Sequence, residues 1–187
     1  MSLQPTTKQF EHLVQFYSSE EVLVSLLADY CIKGFNLNET CIVIATDEHV
    51  SKLESKLLIL GFDPYDLINE ERFVVIDAHV MLSHIMQDGM PNPKLFEEVL
   101  GNMFAGISAP GQKIRAFGEM VAILWQGGNE RAAIMLEKLW NNLGKNRNFM
   151  LLCSYPASIM GRPEDKPYLL ICDEHSQVIE NGLQVNS

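Results

Sequence analysis

Along this chain, short runs rich in β-branched and aromatic residues alternate with longer stretches whose apolar positions recur at helical spacing. Phe10-Glu-His-Leu-Val-Gln-Phe-Tyr17 reads as a first strand with aromatics at both ends. Ser18 and Glu21 have the spacing of a capping box. Val22, Leu23, Leu26, Leu27, Tyr30 and Cys31 then repeat with the period of a helix that Gly34 is expected to close. Thr40-Cys-Ile-Val-Ile-Ala45 is a strand apolar on both faces, as a central parallel strand must be. Asp47 is expected to cap the next helix, whose stripe is Val50, Leu53, Leu57, Leu58 and Leu60 before Gly61. Phe73-Val-Val-Ile-Asp77 is a third strand ending on an acid.

The pattern loosens over Ala78–Pro91, where Met81, Met86 and Met90 mix with His79 and His84 and only a short helix is suggested. Asn92-Pro93 is an N-cap with proline at the first helical position. Leu95, Phe96, Val99, Leu100, Met103, Phe104 and Ile107 form a core-facing stripe that Pro110-Gly111 should end. A fourth strand, Lys113–Phe117, leads to Gly118-Glu119, an apolar connection over Met120–Gln126, and the break Gly127-Gly128. Asn129 is placed to cap a helix bearing Ala132, Ala133, Leu136, Leu139, Trp140 and Leu143, with Gly144 just past its end. Asn148–Tyr155 is a fifth strand stopped by Pro156. An apolar run at Tyr168–Cys172 and a short strand at Gln177–Ile179 follow, and the last residues read as frayed.

Strands alternating with helices predict a three-layer α/β fold, with a mainly parallel sheet of about five or more strands and helices on both faces. No linker or internal repeat interrupts it, so the 187 residues are expected to form one domain, with an ordered core from about residue 10 to 180.

Composition narrows the function classes. The chain is 47% hydrophobic and 20% charged, as in an ordinary globular protein. The first residues carry no signal-peptide pattern and no apolar run is long enough for a membrane span, which predicts a cytoplasmic protein. A net charge of −10 argues against direct contact with nucleic acid or an anionic membrane. Cys31, Cys41, Cys153 and Cys172 fall singly, and read as buried structural thiols rather than metal ligands or disulfide partners.

In a sheet of this kind ligands collect at the carboxyl ends of the strands. That rule picks out Tyr17-Ser18, Thr46-Asp47, Asp77-Ala-His79, Glu119 and Tyr155. Asp47 is accounted for by capping. Glu119, between a glycine and an apolar stretch, is the strand-end acid least explained by solvent. No glycine-rich phosphate loop is present: the first turn is Tyr17-Ser-Ser-Glu-Glu21, whose carboxylates would repel a polyphosphate. Nucleophile-elbow and metalloprotease motifs are also absent, and His79 and His84 fall on different sides of a helix. A thiol such as Cys153 on an apolar strand is deactivated rather than activated. His12, at a strand start, reads as a hydrogen-bonded edge residue. The methionines Met81, Met86 and Met90 suit either a pliable wall for a small ligand or core filling, and Trp125 suits an aromatic wall or a packing anchor.

The ordered set His12-Leu-Val-Gln-Phe-Tyr17, Phe73-Val-Val-Ile-Asp77-Ala, Gly118-Glu119-Met120 with Trp125, Leu151-Leu-Cys-Ser-Tyr155 and His175-Ser-Gln-Val-Ile179 resembles the MEDS domain. This is the methanogen/methylotroph sensory domain also found in the dichloromethane-dehalogenase regulator, and the similarity runs from about His12 to Ile179. The resemblance implies a RecA/KaiC-like core without a phosphate-binding loop, used as a sensory module for small hydrocarbon derivatives. Such modules are often fused to histidine kinases or DNA-binding domains, for which this chain has no room. His12, Tyr17, Glu119, Cys153, Tyr155 and His175 match the family's recurring polar positions.

The resulting expectation is a non-enzymatic sensor for a small, partly apolar organic ligand, with no catalytic residue, cofactor or metal. Its ligand residues are taken as His12, Tyr17, Ser18, Asp77, Met81, Glu119, Trp125 and Tyr155, with the Met81–Met90 segment as a mobile cover. Its protein partner would be a histidine kinase, a response regulator or a transcription regulator, and a homo-oligomer is compatible with each. Two alternatives stand beside it. One is a degenerate nucleotide-binding protein using Ser18, Asp77 and Glu119 around a metal; the other is an enzyme with Glu119 as general base.

Overall fold

The computed structural model describes residues 10–107, 112–159, 165–180 and 183–185. Strand β1 (Glu11–Tyr17) leads into α1 (Glu20–Asn36), then β2 (Thr40–Ala45), α2 (Asp47–Ile59), α3 (Pro64–Asn69) and β3 (Phe73–Asp77). Helix α4 (Ala78–Ile85) follows, with a small hairpin of β4 (Met86–Gln87) and β5 (Met90–Pro91). Helices α5 (Pro93–Phe96) and α6 (Asn102–Ile107) are joined through a π-helical turn at Glu97–Gly101. Then come β6 (Ile114–Gly118), α7 (Met120–Gln126), α8 (Glu130–Gly144), β7 (Phe149–Pro156), α9 (Lys166–Cys172), β8 (Gln177–Glu180) and β9 (Leu183–Val185).

The main sheet has the order β3-β2-β6-β7-β1-β8-β9, parallel from β3 through β8, with β9 antiparallel at the edge. Its central strands β2 and β6 are buried along their whole length, which explains their unbroken apolar sequence. Helices α1, α2 and α3 cover one face through Leu23, Leu27, Leu53, Leu57 and Leu67, packed on Val43, Phe73 and Phe117. The other face carries the helices from α4 onward, through Leu82, Phe96, Phe104, Leu136 and Trp140. There the wide turn before α6 brings Phe96 and Phe104 edge-on to Trp140, at 5.1 and 5.8 Å between ring centres.

Several local expectations are corrected. Ser19, not Ser18, caps α1 by accepting from Val22 N–H, so the Ser18/Glu21 capping box does not form. Thr46, not Asp47, caps α2 by accepting from His49 N–H. In both cases the strand ends in a phase that turns the neighbouring side chain toward the helix start. Gly34 does not close α1. It lies inside the helix, where a Cβ would come within 2.6 Å of Cys41 Sγ and 2.9 Å of Arg115 Cδ, so its role is close approach to the sheet. Leu58 and Leu60 are exposed rather than part of the buried stripe of α2. Ala78–Pro91 is regular, a helix followed by a hairpin, and Met120–Gln126 is a helix rather than a connection. The Tyr168–Cys172 run belongs to helix α9. Pro110-Gly111 and the final residues lie outside the described residues.

Candidate functional site

Parallel register lines up the strand ends along one edge: Ala45 beside Asp77, Ile44 beside Gly118, and Tyr17 beside Pro156. Glu119 leaves this edge from β6. It occupies the N-cap position of α7 but makes no capping bond of its own, and its side chain turns toward β2 instead. There Oε2 accepts from Thr46 N–H at 2.8 Å and Oε1 pairs with His49 Nδ1 at 2.7 Å. A carboxyl group 6% exposed is thereby held in place by one backbone donor and one imidazole. The hydrogen bond that His49 donates to Glu119 raises the His49 pKa above its ordinary value, against the opposing effect of burial.

On its other side His49 Nε2 stands 3.3 Å from Glu20 Oε1, and Glu20 also pairs with Lys52. Lys52 in turn reaches Glu48 at 2.8 Å. The starts of α1 and α2 are thus linked to Glu119 through one chain of charges. Tyr17 lies within reach of the same charges: burial, then Glu119 and Glu20, push its hydroxyl up to about 12. Beside this chain opens a cleft of about 490 Å³ lined by Thr46, Asp47, Glu48, His49, Asp77, His79, Glu119, Ile123 and Gln126. Asp77 also caps α4 by accepting from Val80 N–H at 2.6 Å.

A second cluster lies beneath the sheet, away from this edge. Glu137, on the buried face of α8, is fully enclosed and accepts from Tyr155 O–H through Oε1 at 2.7 Å. Its Oε2 stands 3.2 Å from His12 Nε2 and 3.4 Å from Cys153 Sγ, while His175 Nε2 is 3.4 Å from Oε1. His12 Nδ1 meets Asn141 Oδ1 at 2.8 Å. The Asn141 amide nitrogen donates to Glu174 O and to the Glu174 carboxylate, which fixes Oδ1 toward the ring and makes His12 Nδ1 the protonated nitrogen. His175 Nδ1 likewise donates to the Ile171 carbonyl at 2.7 Å. Burial raises the Glu137 pKa, but the positive charge available on His175 and the close approach of both imidazoles outweigh it and hold the carboxyl well below its ordinary range. Burial first, and Glu137 second, push Cys153 and Tyr155 well above theirs.

The eight residues expected to bind ligand therefore do not form one site. Glu119 and Asp77 line the edge cleft and Tyr17 stands within electrostatic reach of it. His12 and Tyr155 belong to the buried cluster. Trp125 packs edge-on to Tyr155 at 6.1 Å, and Met81 is buried in the core under α4. Ser18 is exposed and lines a separate groove with Glu21, Val22 and Asp29. Met86 and Met90 pack against the core from the hairpin, and Asn129 donates to Gly89 O at its tip, at 2.7 Å. His12 is on an interior strand between β7 and β8, not an edge residue, and is 1% exposed. Two functional candidates were missed in the sequence. His49 had no signal beyond its place in the first turn of α2. Glu137 had one, an acid on the apolar face of a helix between Leu136 and Trp140.

Among the described residues no helix is long and apolar enough to cross a membrane. No match emerged among curated protein sequences. Of solved structures, the crystal structure of a KaiC-like protein from the hyperthermophilic archaeon Pyrococcus horikoshii OT3 superposes with a TM-score of 0.59 at 16% identity, covering 89% of this chain and 69% of that one. It shares the fold, including the parallel sheet with helices on both faces. The turn after β1 here is only Ser18-Ser19, followed by Glu20 and Glu21 in the first helical turn, with no phosphate-binding loop. The family model described as MEDS, "MEthanogen/methylotroph, DcmR Sensory domain", matches residues 11–164, from β1 past the end of β7, and the chain belongs to that family.

Proposed function

We propose that this chain is a non-enzymatic, cytoplasmic sensory module that takes a small organic ligand into the edge cleft and signals to a protein partner, a histidine kinase, response regulator or transcription regulator. The observation that carries this reading is Glu119, a buried carboxylate at the wall of an open cleft, held by Thr46 N–H and by His49. A ligand that donates a hydrogen bond or carries positive charge competes for that carboxylate, while Ile123 supplies an apolar contact. Asp47, Glu48, Asp77 and Glu119 make the lining acidic, which disfavours polyphosphates and with them the nucleotide alternative. Ligand binding at Glu119 alters the His49–Glu20–Lys52 chain and hence the contact between α1 and α2, giving the partner two arrangements to distinguish.

The test is a thermal-shift screen of small alcohols, amines and chlorinated hydrocarbons, with Mg·ATP alongside. Stabilisation by one of the small organic compounds, lost in Glu119→Gln and His49→Gln, supports the site. Stabilisation by Mg·ATP alone, or ligand effects indifferent to both substitutions, overturns it.

A further inference from the structure

The buried cluster under the sheet has the composition and spacing of a metal centre, and we propose that His12, Glu137, Cys153 and His175 bind one Zn²⁺ ion. Each offers one ligand atom, and these atoms all lie within 4.8 Å of one another. Four-coordinate zinc with nitrogen, oxygen and sulfur ligands places neighbouring ligand atoms roughly 3.3–3.6 Å apart. His12 Nε2 to Glu137 Oε2 is 3.2 Å, and Cys153 Sγ is 3.4 Å from each of them.

The imidazoles are presented as ligands. His12 Nδ1–H and His175 Nδ1–H are both directed at fixed oxygen acceptors, which leaves each Nε2 with its lone pair facing the cluster. His175 supplies an independent indication: its side chain is fully buried, yet its Nε2 has no hydrogen-bond partner. A buried nitrogen without a partner is costly unless something else occupies its lone pair. Tyr155 O–H fixes the carboxylate through the oxygen that does not face His12. This is the outer-shell support that orients a metal-bound carboxylate.

Charge and softness select the ion. A thiolate and a carboxylate bring two negative charges, which a divalent cation cancels in a place where unpaired charge is expensive. Mg²⁺ and Ca²⁺ prefer all-oxygen sites, whereas imidazole and thiolate suit zinc. With four protein ligands the site is closed, which makes it structural rather than catalytic. The ligands come from β1, α8, β7 and the connection between α9 and β8, so the ion ties the C-terminal elements to the sheet. Three of them fall within the stretch matched by the family model and His175 lies beyond it.

The experiment uses the full-length, tag-free chain under reducing conditions. Stripping with a chelator and titrating with Co²⁺ should give one ion per chain, intense visible bands of four-coordinate cobalt and a thiolate-to-cobalt band in the near ultraviolet. One equivalent of Zn²⁺ should displace it and raise the melting temperature. Cys153→Ser should lose the thiolate band, and Asn141→Ala should weaken binding by roughly 10- to 100-fold. His84→Ala, which removes an exposed histidine, should change nothing. Absence of uptake by the wild-type chain, weak six-coordinate cobalt bands, or zinc affinity unchanged in a Cys153→Ser/His175→Ala variant would each overturn the assignment.

Discussion

Glu119 and Glu137 are both carboxylates withdrawn from water, and the molecule surrounds them in opposite ways. Glu119 is held by a backbone N–H and one imidazole, and from that imidazole a chain of charged side chains runs outward through Glu20 to Lys52. Glu137 is fully buried and enclosed by Tyr155, Cys153, His12 and His175. Glu119 can exchange partners with a ligand at the cost of local rearrangement. Glu137 cannot, because its partners come from β1, β7 and the connection between α9 and β8, and all would have to move. Open and flexible support suits recognition; closed support suits a fixed centre.

The difference is largest in stability. Glu137→Leu leaves Tyr155 without its acceptor and the two imidazoles without the buried charge they face, and should cost about 3–5 kcal/mol in urea denaturation. A cost no greater than that of the corresponding change at Glu119 would break the contrast. Tyr155→Phe removes one donor to a charged acceptor and should cost about 1.5–3 kcal/mol by the same measurement. Glu119→Gln retains one acceptor oxygen and should cost only about 1–2 kcal/mol.

The Glu119 site also predicts a pH dependence. The His49 pKa is raised in the folded chain, so its stabilising contribution is complete below the ordinary histidine value of about 6.5. That contribution disappears as pH rises through the higher folded value, because there the native state binds more protons than the unfolded chain. Melting temperature plotted against pH should therefore fall more across this window for the wild-type chain than for Glu119→Gln. Parallel curves would show that the His49–Glu119 contact contributes nothing. The smallest effect separates two adjacent serines: Ser19→Ala should cost about 0.5–1 kcal/mol for the lost cap, and Ser18→Ala should leave the melting temperature unchanged.

Much of the fold was legible because it rests on local pattern. β2 and β3 fall where their β-branched runs predicted them, and every position of the α8 stripe is buried. The caps were misplaced by one residue because Ser18 and Ser19, or Thr46 and Asp47, are equally able to cap. Only the direction in which the chain leaves the strand decides between them. α7 was missed because six consecutive apolar residues, buried on most sides, carry no period. The edge cleft was partly visible, since strand-end acids obey a topological rule. The buried cluster was visible only through the family resemblance, which picked out His12, Cys153, Tyr155 and His175; position by position they read as an edge histidine, a structural thiol and a strand-end tyrosine, and Glu137 was passed over. Their convergence depends on pairings between distant parts of the chain, which no local spacing records.

The place of β1 has a consequence for how the chain is made. Its two neighbours, β7 and β8, come from far along the sequence, and His12 and Cys153 are separated by 141 positions. β2, β3 and β6 can pair with one another first, while the aromatic strand synthesised before them waits without a partner. Assembly of this side of the sheet is therefore a late step, limited by closure of a very long loop. Until then Leu13, Val14 and Phe16 form an unpaired apolar ribbon, the part of the nascent chain most open to capture by a chaperone or by another copy of itself.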